Sequence, residues 1–400
     1  MKRLLLPLFA VLWPALAGAT DLVVWSGYRA AERKAMEKVI EAYNASHAAS
    51  GVKVTMLSIP ADAFLDKITA AIPRGQGPDV FVFPQDRLGA WVENGSTVEP
   101  LDFYLDAAAR KSYLPSPLEA MKYHGKVYGL PLNFKVISLI YNKKLVAKPP
   151  RTTGELQTMC RSATKEGSVC VGWAYTDFYF FAALMNAFGG RVFDPGPKPA
   201  MDSPENVKAL ETLLKWRKVP GLLPDEPSSA LITSLFNEGK TGIVFSGPWF
   251  LGEVAKEIDY GLAPLPTVDE AGGKPMRPWM TVEGVAVSAM SKNKKAAYDF
   301  ARYLTGPEGA KVMALEGRQN PAAAQVYSDP QVSADTQLAA FRAQAESAVP
   351  MPNIPEMTMA WSPAAAAVRS AVTGAATPKA ALGDAQKQLQ KDVAGLRGKH

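Results

Sequence analysis

Between Leu22 and Phe83 the chain sets three short apolar runs between amphipathic ones, and this alternation restricts the fold more than any other feature. Leu22 to Trp25 reads as a strand, followed by a turn through Ser26-Gly27-Tyr28 and a helix from about Ala31 to His47. Met36, Val39, Ile40 and Tyr43 give that helix one apolar face at a period of about 3.6 residues. Val52 to Leu57 is a second strand, and the next helix, around Asp62 to Ile72, has Phe64, Leu65, Ile68 and Ile72 in phase. Asp79 to Phe83 is a third strand. Strand, helix, strand, helix, strand predicts an α/β fold with a mostly parallel sheet covered by helices. The pattern resumes with a strand at Cys170 to Ala174, a helix opened by Ser203-Pro204, and strands at Gly242 to Phe245 and Thr281 to Ser288. Helices follow at Lys294 to Leu304 and from Pro378 onward.

A chain of 400 residues has room for about two domains. It carries no internal repeat and no low-complexity linker. Two domains without one clear linker imply a chain that crosses between them several times.

Lys2 and Arg3 precede an apolar run of 13 residues, Leu4 to Leu16, and then Ala17-Gly18-Ala19 before Thr20. This is the pattern of a cleavable signal peptide over residues 1–19. The run is shorter than the about 20 residues of a membrane span, so an exported, soluble mature protein is expected. Thr20 offers no cysteine for a lipid, which favours a free periplasmic protein. Loss of Lys2 and Arg3 lowers the formal charge from +6 to +4, with the remaining basic residues scattered among acids, so a nucleic-acid surface is not expected. Cys160 and Cys170 lie ten positions apart and are expected to form a local disulfide in an oxidising compartment. The three histidines, His47, His124 and His400, are far apart in sequence, and no metal or other cofactor is expected.

The stretch GPDVFVFPQDRLGAWVENG, Gly77 to Gly95, ends a strand at Phe83 and delivers Asp86 and Arg87 at the start of a short helix. In open α/β sheets, ligands bind in the crevice beyond the carboxyl ends of the strands. An aromatic face with a carboxylate and a guanidinium fork suits a sugar ring bearing adjacent hydroxyls. A surface ion pair capping a helix would look the same in sequence. Other aromatics also sit at strand or loop ends beside polar groups: Trp249 in FNEGKTGIVFSGPW, Tyr179 and Phe180 next to Asp177 in AYTDFYFF, and Trp361 after MPNIPEM.

GPDVFVFPQDRLG, SLIYNKKL, FNEGKTGIVFSGPW, YGLAPLPT, GVAVSAMSKNKKAAYDFARYL and MPNIPEM with its following Trp361 occur in order along the chain. Together they resemble the maltose/maltodextrin-binding proteins of bacterial ABC sugar importers. The resemblance implies a two-lobed periplasmic-binding fold of type II, with 20–133 plus 283–330 in one lobe and 134–282 plus 331–400 in the other. It implies sugar contacts at Phe83, Asp86 and Arg87 in the first lobe and at Asp177, Tyr179, Phe180, Trp249 and Trp361 in the second. Three positions depart from the family. Phe83 stands where a larger tryptophan is common, Lys135 in PLNFKVISL replaces an acidic contact, and Ser26-Gly27-Tyr28-Arg29 lacks an Asp-Lys pair. Tyr28, Arg29 and Lys135 remain candidate contacts. The implied protein is a monomer that binds an α-linked oligosaccharide and hands it to membrane permease subunits. A different sugar, polyol or glycoside, including an anionic sugar drawn by Lys135 and Arg29, is the alternative cargo. A secreted carbohydrate-active enzyme would need a carboxylate pair flanking one bond. Asp86 and Asp177 suggest one only through their aromatic neighbours, so no enzyme is expected.

Overall fold

The computed structural model describes residues 20–163 and 167–397, so the expected leader over 1–19 lies outside the described residues. Ten strands matter for the site. In chain order they are β1 (Thr20–Ser26), β2 (Val52–Ser58), β3 (Val80–Pro84), β4 (Leu130–Lys135), β5 (Ser138–Asn142), β6 (Val171–Trp173), β7 (Ile243–Ser246), β8 (Tyr260–Ala263), β9 (Trp279–Val287) and β10 (Asn320–Pro321).

The first sheet runs β10-β4-β9-β3-β1-β2, and Val349–Pro350 joins the start of β9 as a seventh short strand. Alternation along β3 gives it a core on each side. Val80 and Val82 pack with Leu22, Val24, Met36, Val39 and Tyr43, whereas Phe81 and Phe83 pack with Phe64, Ile68 and Trp91. The helices Ala30–Ser46 and Ala61–Ala71 supply Met36, Val39 and Tyr43, and Phe64 and Ile68, respectively, from the apolar faces expected of them. The second sheet, β8-β5-β7-β6, packs against the helices Phe178–Ala187 and Met357–Val372 in a separate core that includes Trp173, Phe181, Phe245 and Val368. The Cys160–Cys170 disulfide forms as expected and ties the helix Thr153–Ala163 to the segment entering β6.

The expectation of mostly parallel sheets needs correction. β2-β1-β3 is parallel, but β9 lies antiparallel to both β3 and β4, and β5 is antiparallel to both β7 and β8. Parallel neighbours require a helical crossover. β9 instead enters from the second core, where Trp279 is buried, and so reaches the first sheet in the opposite direction.

Candidate functional site

Two groups of residues meet at β9. The first comes from the turn after β3. The proline at 84 ends the strand, and Gln85–Arg87 forms one 3₁₀ turn leading into the short helix Leu88–Glu93. Asp86 and Arg87 remain about a quarter to a third exposed, with Arg87 Nε 3.4 Å from Asp86 Oδ2. Burial pushes the Asp86 carboxyl above its ordinary value, with Arg87 opposing the shift. Phe83 is half-buried, stacked on Phe64 at 5.5 Å between centroids and tilted against Trp91 at 5.0 Å. Much of that ring therefore belongs to the core, which leaves less of it to act as a platform.

The second group is a run of rings. Asp177 caps the helix Phe178–Ala187 by accepting the Tyr179 N–H at 2.9 Å, and this cap aims the aromatic first turn. Trp249, 44% exposed, lies 6.2 Å from both Tyr179 and Phe180. Tyr179 lies 6.3 Å from Trp279, which meets Trp361 edge-on at 5.6 Å. Phe180 and Trp279 are buried, and Tyr179 and Trp361 half-buried, so Trp249 offers the freest ring of the run. Burial raises the Tyr179 hydroxyl to about 12, with Thr281 of β9 opposing the shift.

A third, polar cluster covers β4 and β9 beside the turn after β1. Glu283 Oε2 accepts from the Tyr28 hydroxyl at 2.8 Å and from Asn133 Nδ2 at 2.9 Å, and Oε1 accepts from Lys135 Nζ at 3.1 Å. Burial, followed by the charge of Glu283, raises Tyr28 well above the ordinary tyrosine value. Burial pulls the Lys135 ammonium down, but Glu283 and Glu32 outweigh it and hold the group above its usual value. Glu32 is raised by burial, with Lys135 opposing the shift, and accepts from Gln319. Arg29 stands exposed at the start of its helix, next to Ala30, whose φ of 45° is costly for a residue with a side chain.

The structure thus gathers Tyr179, Phe180, Trp249 and Trp361 into one run of rings and places Tyr28 and Lys135 in one polar cluster. It sets Asp86 and Arg87 on a turn next to β9, and leaves Arg29 and Asp177 exposed at helix starts. Sequence reasoning missed Gln85, Trp279, Thr281 and Glu283. A usable signal was present for the last of these, since Glu283 is the one charge in the otherwise apolar WMTVEGVAV. Among the described residues, no group of histidine, cysteine, aspartate and glutamate could hold a metal ion. Nor is any helix among them long and apolar enough to cross a membrane.

Residues 27–311 match the family described as bacterial extracellular solute-binding protein. The maltotriose-binding protein of Pyrococcus abyssi is 31% identical, over 86% of this chain and 76% of that protein. The galactooligosaccharide-binding protein of Bacillus subtilis is 28% identical, over 94% of this chain and 90% of that protein. Among solved structures, a cyclo/maltodextrin-binding protein complexed with maltotetraose superposes with a TM-score of 0.86 at 30% identity, covering 93% of this chain and 97% of that one. Two sheets, each with its own core and joined by β9, are the two-lobed type II α/β architecture of these proteins. With its matched span and its fold in agreement, the chain belongs to the bacterial extracellular solute-binding proteins, a family of binding proteins rather than enzymes.

Proposed function

We propose that this protein is the periplasmic binding component of an ABC importer. It captures an uncharged, α-linked oligosaccharide of the maltose/maltodextrin class and presents it to permease subunits. Residues 1–19 act as the export leader and the mature protein works as a monomer. The lobes comprise 20–133 with 283–330, and 134–282 with 331–400.

The observation that carries the reading is the run from exposed Trp249 through Tyr179 and Trp279 to Trp361, with the Asp86–Arg87 pair on the turn next to β9. Sugar rings lay their C–H faces on such aromatics and offer their hydroxyls to charged groups. Micromolar affinity requires about −8 kcal/mol. Aromatic contacts contribute about 0.5–1.5 kcal/mol each beyond burial, and hydrogen bonds to charged groups about 1.5–3. After ordering costs, only both walls together reach that total, so the ligand favours the closed form that assembles them.

The polar cluster supports an uncharged cargo over an anionic one. Lys135 is already paired with Glu283 and lies near Glu32, so two carboxylates face one ammonium. The related maltotriose-binding and maltodextrin-binding proteins point to α-linked glucose units. The galactooligosaccharide-binding relative, together with Lys135 at a position acidic in the maltodextrin binders, favours a second reading in which another neutral glycoside is carried. Calorimetry with maltose, maltotriose, maltotetraose, trehalose and a galactooligosaccharide tests both. Tightest binding by a maltodextrin is expected, tightest binding by the galactooligosaccharide would select the second reading, and silence across the panel would reject the sugar assignment.

A further inference from the structure

Gln85 sits one residue before Asp86 and Arg87, yet its side chain turns away from them into the interior and is 1% exposed. Its amide oxygen accepts the N–H of Val282 at 2.7 Å, and its amide nitrogen donates to the carbonyl of Met280 at 3.2 Å. The pairing of β9 with β3 reaches Glu283 opposite Pro84 and goes no further. Beyond that point the Gln85 amide stands in for the next backbone unit of the departed strand. The three residues it spans form the crossing itself. Trp279 belongs to the second core, Val285 to the first, and Met280 and Val282 to a small cluster of their own with Phe134, Val136 and Phe341.

The same three residues are held from two other directions. Thr281 lies beside the Tyr179 hydroxyl on the aromatic wall. The Met280 carbonyl also accepts the Met351 N–H at 3.0 Å, at the head of the loop that leads to Trp361. That loop is fastened to the first lobe by Gly89 N–H donating to the Asn353 carbonyl at 2.8 Å. A Cβ at Gly89 would lie 2.5 Å from that carbonyl, so the approach tolerates no side chain.

We infer that Gln85 is a positioning residue that couples the Asp86–Arg87 turn to the inter-lobe segment Met280–Val282, so that sugar held by the turn biases lobe closure and closure in turn sets the turn. This rests on the sugar-binding reading above. A buried amide bonded at two points along one edge of a crossing strand cannot stay in place while that strand rotates. The turn and the crossing therefore move together, giving each wall a differential interaction with the open and closed forms. Tyr179, its ring 6.3 Å from that of Trp279 on the same strand, approaches the crossing from the aromatic wall, which makes the crossing an element that both walls bias.

The full chain with maltotriose as probe tests the coupling, using calorimetry for affinity and small-angle scattering for contraction at saturating sugar. Gln85→Leu leaves the buried Val282 N–H without its acceptor, and Thr281→Val removes one hydroxyl. Both are expected to fold, to bind about tenfold more weakly, and to contract less than wild type at saturation. Wild-type contraction in both variants, even with weakened affinity, would show that Gln85 only shores up its own turn and would overturn the coupling. If Gln85→Leu does not fold, amide exchange in Thr281→Val decides: faster exchange over 86–91, on the far side of Gln85, supports the coupling, and unchanged exchange defeats it. Failure of the wild-type protein to bind maltotriose counts against the sugar reading instead, and the same exchange measurement then judges the coupling alone.

Discussion

Lys135 and Glu283 meet diagonally across the β4–β9 pair, Nζ to Oε1 3.1 Å, while Asn133 lies directly opposite Glu283. Lys135 is therefore a counter-ion to an acid on the neighbouring strand. Lys135→Glu would set a third carboxylate beside Glu283 and Glu32. Rather than restoring a maltodextrin preference, it is expected to cost about 1–3 kcal/mol of stability at neutral pH. Because crowding raises carboxyl pKa values, the loss should shrink as pH falls through the carboxylate range. In the wild type, Lys135 is raised in the folded state, so its contribution is complete below about pH 10.4 and is lost as pH rises through the folded value. Thermal unfolding across pH checks both; a variant as stable as wild type at neutral pH would contradict the pairing.

Asp86 is charged at a cost to stability, as the proposed sugar contact would require. Its folded pKa is raised, chiefly by burial, so its charged form is held at a cost that Arg87 only partly offsets. A raised carboxyl stabilises the fold below its unfolded pKa of about 3.9 and penalises it once pH exceeds the folded value. Asp86→Asn is expected to gain stability at neutral pH, within about 1 kcal/mol, with the gain vanishing at low pH and sugar binding weakened throughout. Paired denaturant titrations at low and neutral pH measure this, and lower stability at neutral pH would refute it.

Trp249 and Trp279 belong to one run of rings but differ in role, being 44% and 2% exposed. Trp249→Ala is expected to leave stability nearly unchanged and to weaken sugar binding by about 2 kcal/mol or more. Trp279→Ala opens a cavity and should cost about 3–5 kcal/mol of stability. Comparing unfolding midpoints with calorimetric affinities separates the two, and equal stability losses would contradict their assigned positions.

Closing a ten-residue separation, the Cys160–Cys170 bond restricts the unfolded chain by about 2–3 kcal/mol. Replacing both cysteines by serine should lower the unfolding midpoint of the protein, whereas affinity for maltotriose should hold, because both sulfurs pack in the second core. A large loss of affinity with the midpoint unchanged would place this bond nearer the ligand than its packing indicates.

Local order of residues determined much of this protein. Hydrophobic periodicity located β1 to β3 and their helices to within a few residues, because a strand or helix must turn its apolar face inward wherever it is later placed. Ser203 marked a helix start for a similarly local reason, as its hydroxyl accepts the N–H of Asn206 three residues on. The motifs around Phe83, Asp86, Trp249 and Trp361 also nominated candidate contacts without knowledge of the fold. The direction of β9, the Glu283–Lys135 pair 148 positions apart and the Gln85 amide bonded 195 and 197 positions away were settled only by tertiary structure. Periodicity records which face of an element is apolar. Which distant strand supplies a charge or an acceptor depends on how the chain crosses between lobes, and that crossing paired Lys135, a candidate ligand contact, with a partly buried acid.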